Sequence, residues 1–254
     1  MPLPSGQRLA GRSIPGAPGA SVVDVLAAIA LTPSAPVLVP ELAGTATGEV
    51  AGIRAAALAA ASELPDRWIA VGAAAQDRMI ESETRGTFAG YGVDVGVTLG
   101  PDARETASAL PLCALFAGWL RGRVNPDGRV QVRVYSSTLG VDAAVVRGQS
   151  LRAEIDRMPD PIGVLVVADG ASTLTPAAPG GYDPESGPVQ AALDDALAAA
   201  DAAALMELSD AIVGRVAYQV LAGLVGTGRW SGRELARGAP YGVGYFVGVW
   251  TPPR

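Results

Sequence analysis

The chain has 254 residues, 49% hydrophobic and 17% charged, with a net charge of −6; it has the apolar material for a sizeable core and is not of disordered composition. Its pI near 4.7 and lack of a basic stripe argue against a nucleic-acid partner. It contains no histidine, which excludes a Ser-His-Asp triad, a Cys-His pair, an HExxH zinc site and a two-His-one-carboxylate iron site built from this chain alone. All 19 basic residues are arginine. Together with the surplus of Ala, Gly, Pro and Val, this points to a GC-rich genome, whose codon bias would also thin out histidine.

In chain order, residues 1–20 are rich in Gly and Pro and read as a flexible N-terminal extension or a misassigned start. Arg8 and Arg12 do not make a signal peptide, because Asp24 interrupts the neighbouring apolar stretch. Residues 21–254 read as one domain. Residues 25–31 are predicted as the first strand. Pro33, Ser34, Ala35 and Pro36 break it, and 37–39 resume an extended run. The Ala-rich stretch 47–64 carries Val50, Ile53, Ala57 and Leu58 near helical spacing and predicts a helix. Residues 67–72 are a short buried strand, 86–92 are turn-rich, and 93–99 alternate as a strand.

A helix over 106–121 is entered or kinked at Pro111. It contains the single cysteine, Cys113, which reads as a small buried hydrophobe rather than a nucleophile. Without a disulfide framework the chain agrees with a reducing cytoplasm. Residues 129–135 alternate Val130, Val132, Val134 against Arg129, Gln131, Arg133, the pattern of a half-exposed or edge strand. Asp142 is a plausible N-cap for a helix whose Leu151, Ile155 and Met158 share a face. Residues 162–167 are continuously apolar, as in a central strand covered on both sides.

Asp183, Pro184 and Glu185 form a helix start, with Val189, Leu193 and Leu197 along one face. Residues 211–224 form another helix, and 241–250 a glycine-punctuated last strand. No apolar run reaches the ~18 residues of a membrane span, so no membrane partner is expected. Alternating elements without repeats predict a three-layer α/β/α domain with a mostly parallel or mixed central sheet.

In open α/β sheets ligands bind at the carboxyl ends of the strands. Four segments leave or enter strands there: 32–40, 72–77, 169–182 and 238–244. These segments carry a resemblance. Pro33-Ser34-Ala35-Pro36 through Val39-Pro40-Glu41 resembles the PHPPhhhPE motif, h being apolar, of the class III extradiol ring-cleavage dioxygenase (LigB-like) superfamily, which includes the MEMO-like proteins. Asp169-Gly170-Ala171-Ser172-Thr173-Leu174-Thr175-Pro176, with Gly181-Tyr182-Asp183-Pro184 after it, resembles its GDLSHRLTP…GYDP segment. Gly86-Thr87-Phe88 with Tyr91-Gly92 is similar to its GDFSRFG loop, and Pro240-Tyr241-Gly242-Val243-Gly244-Tyr245 to its PFGVGY. The segments stand in family order and span nearly the whole chain from about Val22.

The resemblance implies a LigB-like fold and, in active members, Fe(II) held by two His and a Glu with a further His as acid–base catalyst. The departures are systematic. Ser34 stands where the first metal His would be and Ala74 near the second. Ser172 stands at the histidine of SHRL, and Gly238 roughly where an acidic residue precedes PFGVGY. These substitutions imply a dioxygenase-like scaffold with its Fe(II) site lost and no cofactor or metal.

Several readings of the remaining groups stay open. Ser34 and Ser172 either hydrogen-bond a small polar ligand or satisfy local turns. Asp169 is either a part-buried carboxylate with a raised pKa or a turn and cap residue. Asp169 and Ser172 are the catalytic candidates. Ser34, Ala74, Tyr182, Gly238 and Tyr241 complete a ligand-binding set, with the tyrosines alternatively serving packing. An oxygen-only metal site of Asp169, Asp183 and Glu185 is disfavoured, because the helix start explains the latter two. Gly242, Gly244 and Gly248 lie in a strand pattern and make no phosphate loop.

The expectation is a cytoplasmic pseudoenzyme that binds an unknown small ligand or protein partner, with a homodimer left open. The alternative is an enzyme with His-independent Asp/Ser/Tyr chemistry in the same cleft, and retained ring cleavage ranks last.

Overall fold

The computed structural model describes residues 25–252. Residues 1–20, expected as an extension, lie outside the described residues. A seven-stranded sheet runs in the order β3-β6-β2-β7-β1-β9-β8. Its centre is the parallel set β6 (Arg129–Ser136), β2 (Arg67–Ala74), β7 (Ile162–Val167) and β1 (Leu26–Thr32). Antiparallel strands close both sides: β3 (Arg78–Ile80) beside β6, and β9 (Tyr245–Thr251) with β8 (Ser231–Gly238) beyond β1. The sheet is mixed and mostly parallel, as expected for a three-layer α/β/α fold. Every residue of β7 is buried, which is why that segment is apolar without alternation.

Strand residues alternate between two cores. Ala28 and Ala30 face one side, with α2 (Ala51–Ala61) and α3 (Leu112–Val124) over them. Ile29 and Leu31 face the other, covered by α4 (Val141–Ile155), α5 (Ser186–Ala199) and α7 (Arg215–Val225). Helix α2 presents Ile53, Ala57, Ala60 and Ala61 at helical spacing, and its small residues let it lie close to the sheet. Helices α4 and α7 cross nearly backbone to backbone. A Cβ on Gly148 would meet the Val220 carbonyl at 2.0 Å, and one on Gly223 the Val145 carbonyl at 2.1 Å.

Several local expectations need correction. Residues 36–38 form a 3-10 turn rather than an extended run, because Pro36 presets the backbone and Leu38 N–H donates to the Ala35 carbonyl at 3.0 Å. The segment 93–99 contributes only β5 (Gly96–Thr98), paired with β4 (Arg85–Thr87) in a separate ribbon. Strand β6 is half-exposed, as its alternation implies, with Val130, Val132 and Val134 buried, and it is second from the edge because the short β3 pairs with part of its outer side. Gly140, not Asp142, occupies the N-cap position of α4. Helix α5 starts at Ser186, after Asp183 accepts the Glu185 amide at 3.0 Å in a side-chain turn. The last strand starts at Tyr245 rather than 241. Strand β8, whose charged residues hide its register, is not expected from the sequence.

Candidate functional site

The carboxyl ends of β1, β2 and β7 lie at one edge of the sheet, together with the end of β8 and the start of β9. Asp169 sits just past β7, partly buried. Its Oδ1 accepts the main-chain N–H of Ser34 at 2.8 Å, which ties the β1 and β7 ends together. Oδ2 takes no hydrogen bond from a described residue. Burial pushes the carboxyl up to about 6, and the Ser34 amide opposes that rise. The group therefore changes charge close to neutrality.

Two tyrosines, Tyr218 and Tyr245, stand beside it, and a third, Tyr241, the one of the three that sequence reasoning placed in the site, neighbours Tyr245. Tyr218, on α7, is buried and donates to the Ala168 carbonyl at 2.9 Å. Tyr245, at the start of β9, is 5% exposed. Both phenols are pushed up, first by burial and then by the Asp169 carboxylate, so they stay protonated donors beside it. The Tyr241 hydroxyl is out of water and makes no hydrogen bond of good geometry. Burial and then the neighbouring Glu49 carboxylate raise it. Tyr218 looked like one more apolar position on a helix, and Tyr245, although it ends the segment that resembles PFGVGY, fell inside the run read as the last strand and was not singled out.

The Asp169 loop is fixed by a buried amide that no sequence motif marks. Gln190 of α5 accepts the Ala171 N–H at 2.8 Å through Oε1 and donates to Asp194 at 2.8 Å through Nε2. Its side chain passes between Gly170 and Gly244, where a Cβ on either would lie 2.0 Å from Oε1. Around it Gly170 N–H donates to the Gly244 carbonyl and Gly244 N–H to that of Ala171, each at 2.8 Å. The glycines in the segments 169–176 and 240–245 thus make room for a side chain rather than for a phosphate. Burial raises the Asp194 carboxyl to about 6, against the Gln190 hydrogen bond and Arg237.

The other expected positions spread out. Ser34 brings its backbone, not its hydroxyl, to Asp169. Ser172 lies in a loop closed on itself by Gly180 N–H to the Ser172 carbonyl at 2.9 Å, with its hydroxyl beside Gly180. Ala74 ends β2, half-buried against the α2–α3 core. Gly238 is exposed at the end of β8, paired with Tyr245. Tyr182 is 59% exposed. The structure brings together Ser34 and Asp169 and adds Tyr218, Tyr245 and Gln190.

No protein-family model matches the chain, and no curated protein matches it. Among solved structures, the crystal structure of uncharacterized protein JW3007 from Escherichia coli K12 is similar, with a TM-score of 0.54 and 9% sequence identity over 89% of this chain and 99% of that one. At that identity the likeness carries the fold alone.

The donors do not suit the Fe(II) that the resemblance implies. There is no imidazole, and the described residues contain no group of three or more His, Cys, Asp or Glu able to hold a metal. Asp169 spends one oxygen on an amide. Cys113, under the same edge, is pushed up to about 11 by burial and stays a thiol at neutral pH. The site offers one protonatable carboxyl with a free oxygen beside the Tyr245 phenol, while the Tyr218 hydroxyl is committed to the Ala168 carbonyl. That arrangement can hydrogen-bond a polar ligand or transfer one proton.

Proposed function

We propose that this chain is a histidine-less, divergent member of the class III extradiol dioxygenase (LigB-like) superfamily that has given up ring cleavage. It binds a small ligand or a protein partner through the strand-end cleft. One observation carries the reading: the main-chain N–H of Ser34, in the segment that resembles PHPPhhhPE, donates to Asp169, in the segment that resembles GDLSHRLTP, so the two segments meet at the ends of β1 and β7. The motif order in the sequence supports it, and so does a fold that brings the segments after β1 and β7 and before β9 to one edge of the sheet. On this reading the protein is cytoplasmic, uses no metal or organic cofactor, and engages neither nucleic acid nor a bilayer. Among the described residues no helix is long and apolar enough to cross a membrane.

Oxygen uptake with catechol and protocatechuate, with and without added Fe(II), tests it. Uptake at the protein-free rate is expected; ring-opened product formed by protein that retains stoichiometric iron overturns it.

A second reading has its own support. Asp169, with a carboxyl near 6 and a free Oδ2, suits single-residue acid–base chemistry without histidine. It requires a turnover whose rate has an inflection near pH 6 that Asp169→Asn abolishes; activity that survives in the variant eliminates it.

A further inference from the structure

We infer that the groove between β6, β3 and α4 is a binding site for a small oxyanion of the carboxylate or phosphate class, separate from the Asp169 cleft and independent of the function proposed for it. Strand β6 turns Arg133 and Tyr135, two residues apart, to its α4 side. Helix α4 answers with Arg147, Ser150 and Glu154 at three- and four-residue spacing. Arg78 and Asp77 complete the lining, and the open groove measures about 290 Å³. That volume holds an inorganic phosphate or a short dicarboxylate and is below the usual range for drug-sized ligands.

The chemistry of the lining is unbalanced in two respects. Three guanidiniums face two carboxylates in a protein of net charge −6. Each guanidinium also spends one nitrogen on the protein, although it carries five N–H donors. Arg133 pairs with Glu154 through Nη2, Arg147 with Asp77 at 3.0 Å through Nη2, and Arg78 donates to the Ala109 carbonyl at 3.2 Å through Nη1. The Arg133 Nε–H is out of water with no acceptor. An acceptor drawn in beside Glu154 would meet that donor after a small swing of the guanidinium. The Tyr135 hydroxyl also hydrogen-bonds no described residue, while Arg133, Arg147, Glu154 and Asp77 all act on it. An oxyanion in the groove supplies acceptors to donors that line it, and arginine is the side chain suited to planar or tetrahedral oxyanions.

Calorimetric titration of the full chain with inorganic phosphate and, separately, malonate tests the site in low-salt buffer. Saturable binding of at least one anion is expected, weakened about tenfold by Arg133→Gln and several-fold by Tyr135→Phe, which keeps the ring packing and so the fold. Binding of phosphate alone assigns the phosphate class, and binding of malonate alone the carboxylate class. No saturable binding of either anion to the wild-type chain overturns the inference. So does binding that Tyr135→Phe and Arg133→Gln leave unchanged.

Discussion

The main-chain amide of Ser34 donates to the Asp169 carboxylate at 2.8 Å, across 135 residues of sequence and between the ends of two hydrogen-bonded parallel strands. A backbone donor to a carboxylate favours its charged form, yet burial dominates and leaves the carboxyl near 6. The contact therefore joins the packing of the two strand ends to the protonation of the carboxyl between them.

The pH dependence of stability depends on that balance. The folded pKa of Asp169 is raised above its ordinary value of 3.8, so the folded state binds more protons than the unfolded chain between about pH 4 and pH 6. Its contribution is full below pH 4 and is lost as pH rises through 6. Asp194 acts with the same sign. Asp169→Asn, which keeps an acceptor for Ser34, is expected to unfold at a higher temperature than wild type at pH 7.5. The gain is at most about 3 kcal/mol, and it vanishes at pH 4. Thermal unfolding at the two pH values checks it; a variant destabilised equally at both contradicts the burial argument.

Gln190 and Gly170 should be coupled. Gly170→Ala displaces the Gln190 amide and strips the Ala171 N–H of its acceptor, as Gln190→Ala does directly. Each single change is expected to cost about 1–3 kcal/mol. In the Gln190→Ala background the alanine at 170 should add little, giving a coupling energy of about 1 kcal/mol or more. Denaturant unfolding of the four proteins reads it directly; additive costs show that the two residues act separately.

The α4–α7 crossing tolerates no side chain at its glycines. Gly148→Ala places a methyl against the Val220 carbonyl and the Leu224 amide, which are backbone atoms that cannot rotate away. A loss of about 3 kcal/mol or more is expected. Gly122→Ala, in α3 with nothing near its Cβ, should be neutral or stabilising by up to about 1 kcal/mol. Equal melting temperatures for the two variants would contradict the close crossing.

Cys113 is 3% exposed and its thiol is pushed up to about 11. It is expected to resist a disulfide reagent at pH 8 in the native protein and to react fully in denaturant. Rapid labelling of native protein would show that the packing of α3 against β2 opens.

Much of the scaffold was legible because burial writes itself into residue type. The uninterrupted apolar run of β7 announced a central strand, and the turn residues after β1 announced its end. Strand β8 was not legible, since its charged side chains follow pairing with β9 rather than an apolar period. At the site, Asp169 stood out because it ends an apolar strand. Gln190 did not, because it bonds Ala171 in a distant loop and Asp194 in its own helix, and the small residues that accommodate it, Gly170 and Gly244, look like turn glycines. Ser34 suggested a role for its hydroxyl, whereas it is the backbone that acts.

One titration asks most directly whether Asp169 has replaced a metal centre: the carbon-13 chemical shift of its side-chain carboxyl, tracked from pH 3 to 9 with and without one equivalent of Fe(II) under anaerobic conditions. A midpoint near 6, with the resonance unbroadened by Fe(II), is the predicted result. A midpoint near the ordinary 3.8, or selective paramagnetic loss of the Asp169 resonance on adding iron, would contradict it.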